Sequence, residues 1–175
     1  MLIRKLCPDE IAPEFFAGFN RAQHVTGYCR ITNGRWQTTL RECDESWDTA
    51  YLNHVIDDMR GIALDGGAVF AALEADRVMG FTAVCRPPMG SCGQYRQLAK
   101  LYVHAASRGN GLGKKLFLQA CDSARKMGAE KLYISAHSSI ETIGWYRHMG
   151  CTEAAEYDQA LAALEPDDVQ MEYTL

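Results

Sequence analysis

The sequence predicts a mixed α/β (α+β) fold in a single domain. Three observations carry that prediction. The chain has 175 residues, 47% hydrophobic and 23% charged, which suits one globular unit with a real core. Its first half holds strand-forming runs joined by short turns, the mark of antiparallel pairs. Its second half holds a strand–loop–helix–strand unit, whose two strands should lie parallel.

The elements follow in order. LIRKL (2–6) reads as a first strand. Pro8 or Pro13 suits a first helical turn, and EFFAGFNRAQ (14–23) reads as a helix. The stretch from Tyr28 to Arg41 is rich in strand formers around Asn33-Gly34, a hairpin signal. Ser46 is placed to cap a helix over 46–63 whose apolar residues Trp47, Tyr51, Val55, Met59 and Ile62 keep helical spacing. Two strands joined at Ala75-Asp76-Arg77 come next, then a loop at Pro87-Pro88. QLAKLYVHA (97–105) is nearly continuous in apolar residues and reads as a strand buried on both faces. After a glycine-rich loop, Leu112, Leu116, Phe117, Ala120, Ala124 and Met127 mark the buried stripe of a helix that Gly128 ends. KLYISAH is a strand, 139–149 a helix closed by Gly150, and DVQMEYTL a last strand.

Composition narrows the function classes. A net charge of −4 argues against nonspecific nucleic-acid binding. No stretch reaches the ~20 apolar residues of a membrane helix, and MLIRKLCPDE turns polar too early for a signal peptide. A cytoplasmic location is expected, with no membrane partner. Seven cysteines, an odd count without a Cys-x-x-Cys pair, speak against a disulfide framework and a thiolate metal site, and no metal is expected. Acidic clusters at Asp44, Glu45 and Asp48, at Asp57 and Asp58, and at Glu165, Asp167 and Asp168 would attract a cation or stand as solvated surface.

The chemistry concentrates in SRGNGLGKKL (107–116). The loop lies between a strand and a helix N-terminus, where free amides and the helix dipole favour an anion. Walker A fails because Gly113-Lys114 is followed by Lys115 and no hydroxyl is placed for magnesium. The dinucleotide fingerprint fails because Lys114 stands where its third glycine should be. What fits is Arg-x-x-Gly-x-Gly, with Arg108, Gly111 and Gly113.

With the strand before it and WYRHMGC (145–151) after it, this stretch resembles the GNAT superfamily of N-acetyltransferases. The resemblance is close over 98–154, topological over 67–97 and loose before that. It implies a central twisted mixed sheet of about six or seven strands flanked by helices. Residues 67–154 would form the acetyl-CoA-binding core, 1–66 a variable acceptor side and 155–175 a C-terminal strand region. It implies acetyl-CoA as cosubstrate, with the backbone of Leu101, Tyr102 and Val103 pairing with the pantetheine arm. Amides of Arg108, Gly109, Asn110, Gly111, Leu112, Gly113 and Lys114 would hold the pyrophosphate. Tyr146 matches the family's tyrosine acid, and His137, at the end of the next strand, is a candidate base. Lys100 stands where many relatives carry a carboxylate, and Ile140 where they carry Asn. The acceptor implied is a primary amine of a small molecule. Alternatives are a protein amino group, or an acetyl-CoA-binding sensor module without turnover. A homodimer is compatible with that fold.

Overall fold

The computed structural model describes residues 1–32 and 34–175. Its centre is a seven-stranded sheet in the order β1-β4-β5-β6-β7-β9-β8. The strands are β1 (Leu2–Lys5), β4 (Ala68–Glu74), β5 (Arg77–Val84), β6 (Tyr95–Val103), β7 (Lys131–Ala136), β8 (Thr152–Glu153) and β9 (Val169–Thr174). A separate hairpin pairs β2 (Gln23–Thr32) with β3 (Arg35–Glu45). Neighbours in the large sheet are antiparallel except β6 and β7, which run parallel as the strand–loop–helix–strand unit requires.

Among the described residues there are four α-helices: α1 (Thr49–Leu64), α2 (Leu112–Lys126), α3 (Ile140–His148) and α4 (Gln159–Leu164). Helix α2 lays Leu116, Phe117, Ala120 and Ala124 on one face of the sheet, with α3 adding Ile143 and Tyr146 to the same side of the core. Helix α1 buries Val55, Ile56 and Met59 in the second core, with Val69, Ala71, Phe81 and Ala83 of the sheet. Each of the Val, Leu, Ile, Phe and Met side chains among these contributes roughly 1.5–3 kcal/mol when fully buried.

Several expectations need correction. Residues 14–23 do not form a helix. Residues 14–18 run as successive turns, with Gly18 at φ 79, 19–22 are irregular and Gln23 already opens β2, while Phe16 and Phe19 drop into the α1 core. A left-handed residue in mid-segment stops helical hydrogen bonding there. The cap of α1 is Asp48, not Ser46: its Oδ1 accepts from Tyr51 N at 2.7 Å. The hairpin forms around Gly34, while Asn33 lies outside the described residues. The turn at Ala75-Asp76 puts both residues at positive φ, 46 and 63, the twist a two-residue hairpin needs. Finally, β6 is not buried on both faces. From Ala99 to Val103 it is half-exposed, for a reason that defines the site.

Candidate active site

Strands β6 and β7 pair only from Tyr95 to Gln97 and from Lys131 to Tyr133. Beyond that they part, although β6 continues to Val103 and β7 to Ala136. A bulge drives the divergence. Leu98 pairs with Val84 and Lys100 with Ala83, so Ala99 is an extra residue in β6. A bulge bends its strand and raises local twist. β6 stays bonded to β5 up to Val103, so the edge it turns toward β7 keeps main-chain groups of residues 98–103 without a strand partner. Leu101, Tyr102 and Val103 all lie on this open edge.

Alternation sorts the side chains of β6. Leu101 and Val103 pack toward Leu112 and Leu116 of α2. Lys100, Tyr102 and His104 face the other way. Lys100 Nζ bonds Asp58 Oδ2 at 2.9 Å, the Tyr102 ring lies 4.5 Å from Trp47, and His104 lies 5.8 Å from Phe19. Lys100 is thus committed to α1, and Trp47, partly buried, packs against the α1 core.

The glycine loop leads directly from β6 into α2. Gly109 and Gly111 adopt φ 79 and 75, which side-chain-bearing residues rarely adopt. Gly113 sits 3.3 Å from the Trp145 ring, measured from the position a Cβ would take. Among the described residues, none accepts from the amides of 108–114. The first residues of a helix lack intrahelical acceptors by geometry. The loop extends that row of free donors backward. Its charge points the same way. The first turn of α2 has no acid and carries Lys114 and Lys115, both exposed, at the positive end of the helix dipole. That arrangement is unfavourable for the helix alone and is relieved by an anion.

The Arg108 side chain is committed away from the loop. The guanidinium donates to Ala22 O at 2.6 Å, Arg21 O at 2.7 Å and Val103 O at 3.3 Å. It fastens the N-terminal segment to the end of β6.

Tyr146 is buried on α3, packed edge-on against Phe117 and Trp145. Its hydroxyl has no hydrogen-bond partner among the described residues and is not fully enclosed. Burial, with smaller contributions from Tyr102, Cys151 and Asp168, pushes the phenol well above its usual range, so it keeps its proton. His137, half-exposed, closes β7. Its Nδ1 accepts from Ser139 N at 3.3 Å, and its Nε2 lies 3.4 Å from Glu45 Oε1. Burial lowers its pKa despite Glu45, so the imidazole is neutral and carries its proton on Nε2.

Glu45 belongs to a cluster that sequence reading did not find. Burial works to raise its carboxyl, but Arg21 (2.9 Å), His137 and Tyr28 (3.1 Å) outweigh that and hold it below the usual carboxylate range. Tyr28 also touches Cys43 Sγ at 3.0 Å. The hairpin that carries these residues is clamped to the β7–α3 junction by Cys29 N to Ser138 O, 2.7 Å. That end of the hairpin therefore lies against the β7–α3 junction.

Three of the cysteines, Cys85, Cys121 and Cys151, offer no activated thiol. Burial pushes Cys85 and Cys121 to about 11 and Cys151 to about 12, so all three stay protonated and weakly nucleophilic. Among the described residues, no group of three or more His, Cys, Asp or Glu is arranged to hold a metal ion. Among the described residues, no helix is long and apolar enough to cross a membrane.

Comparison with known proteins matches this architecture. The uncharacterized N-acetyltransferase YjgM of Escherichia coli (strain K12) is 40% identical over 65 residues, 37% of this chain; the chain spans 39% of the length of that curated relative. Nourseothricin acetyltransferase superposes with a TM-score of 0.71 at 19% identity, covering 99% of this chain and 97% of the other. A Bacillus anthracis str. Ames protein assigned as a streptothricin acetyltransferase, solved with acetyl coenzyme A, gives 0.68 at 15% identity, covering 99% and 95%. The PaiA N-acetyltransferase of Thermoplasma acidophilum, solved with coenzyme A, gives 0.60 at 14%, covering 99% and 98%. Those likenesses are of fold. The family model described as "Acetyltransferase (GNAT) family" matches residues 30–151, most of the chain, and the protein belongs to the GNAT acetyltransferase family.

Proposed function

We propose that this protein transfers an acetyl group from acetyl-CoA to a primary amine of a small molecule by direct attack. The observation that carries this is the row of free amides at 108–114, continuous with the open edge of β6, in a chain of the GNAT family. The residues present fit the cosubstrate: a donor row and two lysines for the pyrophosphate, and free strand edge for the amide-bearing pantetheine arm.

Bound acetyl-CoA supplies an acetyl group activated as a thioester. The amides of Arg108 to Lys114 hold the pyrophosphate. The main chain of Leu101, Tyr102 and Val103 aligns the arm in the gap between β6 and β7. Much of the rate enhancement is then positioning, which supplies several kcal/mol. The amine would form its bond to the carbonyl carbon as the carbon–sulfur bond breaks; the departing sulfur would take the Tyr146 proton, and the phenolate would regain one from water. The amine's surplus proton leaves through water. His137 is the first ionisable group near that path, and it accepts a proton by giving up the weak contact from Ser139. Residues 1–66 supply the acceptor side of the site through Arg21, Tyr28 and Glu45.

The test is thiol release on mixing the protein with acetyl-CoA and a panel of primary amines, with the acetylated amine identified by mass. Stoichiometric acetyl-amine and CoA support the reading. Tight CoA binding without any acetyl-amine over the panel would favour a binding module of the same fold.

A further inference from the structure

A cavity of about 310 Å³ lies between the C-terminal end of α1 and helix α4. Its walls are mostly apolar: Ile62 of α1, Cys85 and Met89 after β5, and Ala160 and Leu161 of α4. Asp65 and Arg86 also line it, but both are exposed and stand at its rim. Gln97 of β6 adds an amide to the lining; its Oε1 takes the Cys85 thiol at 3.6 Å, and its Nε2 has no acceptor among the described residues.

Helix α4 is a second, independent sign of an occupant. It is six residues long, QALAAL, and none of them is buried. Short helices owe their stability in proteins to the packing of an apolar face. This one is fixed at its start. The Asp158 amide donates to Tyr133 Oη at 2.8 Å, and the Asp158 carboxylate accepts from Leu161 N at 3.0 Å. Leu161, half-buried, packs with Met89 against the buried Tyr95 and Tyr133. Beyond that contact the apolar side of α4 lies over the cavity.

Position ties the cavity to the gap. Gln97 is the last residue of β6 paired with β7, opposite Tyr133, and the strands part from the next residue on. The cavity therefore adjoins the closed end of the gap. It lies on the α1 face of the sheet, whereas Leu101 and Val103 turn toward α2, whose N-terminus carries the free amides. CoA held by those amides comes from the α2 side, which leaves the α1 side to the acceptor. A group seated over Gln97 is one or two residues, about 3–7 Å of strand, from the start of the gap, and a short carbon arm covers that distance.

Size and polarity narrow the class. An apolar cavity of about 150 Å³ takes up benzene, and this one has room for a ring with its arm. A charged or hydroxylated body would give up its water to face Ile62, Met89 and Leu161, which costs free energy without a hydrogen bond in return. We infer that this cavity receives the apolar body of the acceptor, so that the amine acetylated carries an aryl or branched-alkyl group on a short carbon arm. This rests on the acetyltransferase reading above.

The experiment is calorimetric titration of 2-phenylethylamine, ethylamine and 1,4-diaminobutane into the full chain with and without CoA, followed by acetylation assays on the same amines. 2-Phenylethylamine is expected to bind at least about tenfold more tightly than either of the others, a difference of about 1.4 kcal/mol. It should show a negative heat-capacity change, the mark of apolar burial, that ethylamine lacks. Its kcat/KM should be higher in the same proportion. Ala160→Trp, an exposed change that fills the cavity, should remove the preference and leave ethylamine and CoA binding unchanged. Ala160→Ser, which keeps the space, should retain it. Equal binding of the three amines, tighter binding of 1,4-diaminobutane, or a preference that survives Ala160→Trp would overturn the inference. So would a 2-phenylethylamine that binds but is not acetylated while another amine of the panel is. Failure of the acetyltransferase reading shows separately, as loss of CoA binding in the wild type or acetyl product from none of the amines.

Discussion

The guanidinium of Arg108 reaches back across the fold and donates to the main-chain carbonyl of Arg21 at 2.7 Å, and to that of Ala22 beside it at 2.6 Å. The arginine of the glycine motif is therefore a fastener. It ties the segment that carries Arg21, the partner of Glu45, to the strand that carries the open edge. Losing a charged donor to these part-buried and exposed carbonyls costs about 1–3 kcal/mol at most. Arg108→Ala should lower the thermal midpoint by several degrees. Arg108→Lys should recover only part, since one ammonium cannot reproduce the two-pronged contact. CoA affinity at a temperature where the variant is folded should fall less than tenfold if, as proposed, the phosphate is held by amides.

Lys114 and Lys115 allow stability and binding to be pulled apart. Replacing both with Glu puts negative charge at the N-terminus of α2, worth about 0.3–1 kcal/mol each to the free protein. The same change opposes an incoming pyrophosphate. Lys114→Glu/Lys115→Glu should melt at or above the wild-type temperature without ligand, while CoA affinity drops tenfold or more. A midpoint that falls, or a CoA affinity that holds, would contradict the assignment of this helix end to an anion.

Tyr146 keeps its proton over the whole working range, because burial raises its phenol. As a general acid it should contribute on the order of 10²-fold or more to turnover. Tyr146→Phe preserves the packing against Phe117 and Trp145. It should lower kcat by that amount with the KM for acetyl-CoA changed less than about threefold. A kcat within threefold of wild type would reduce the residue to a packing role.

Asp168 sets a pH dependence of stability. Its folded pKa, about 8, stands above the ordinary carboxylate value of 3.8, through burial first and the neighbouring Glu165 second, with Ser135 working the other way. Between those values the native state holds a proton that the unfolded chain has released. Stability contributed by this group is therefore fully present below pH 3.8 and declines as pH rises toward 8. Asp168→Asn removes that slope. If ~1 kcal/mol is realised, its midpoint at pH 8 should exceed wild type by roughly 2–4 °C, with little difference at pH 4. Circular-dichroism melts at the two pH values would measure it.

Much of this was legible in the sequence, and the exceptions have physical causes. Local patterns reported the hairpin pairs, α2 and α3 with their glycine ends, and the parallel unit, because each depends on neighbouring residues. The glycine loop could be read because φ 75 at Gly111 and contact with Trp145 at Gly113 are demands on residue type. The apolar run 97–105 misled because hydrophobicity cannot tell a strand buried in a sheet from one that leaves its neighbour at a bulge, as β6 does at Ala99. Phe15, Phe16 and Phe19 imitate a helical stripe, but Gly18 breaks it. Helix α4 was announced by Asp158 before QALAAL, a cap and strong helix formers that went unread. The Glu45 cluster had no local signal at all. Arg21, Tyr28 and His137 reach Glu45 only through the hairpin's docking on the β7–α3 junction.

The central claim is that the amides of 108–114 hold coenzyme A. The most direct test is the thermal midpoint of the purified protein alone and with acetyl-CoA, CoA, ATP or NAD. A ligand that binds only the native state adds about 2.7 kcal/mol of stability at a hundredfold excess over its Kd. A rise of several degrees with acetyl-CoA and CoA, absent with NAD and ATP, is the predicted result. No shift with either CoA ligand at millimolar concentration would contradict the account.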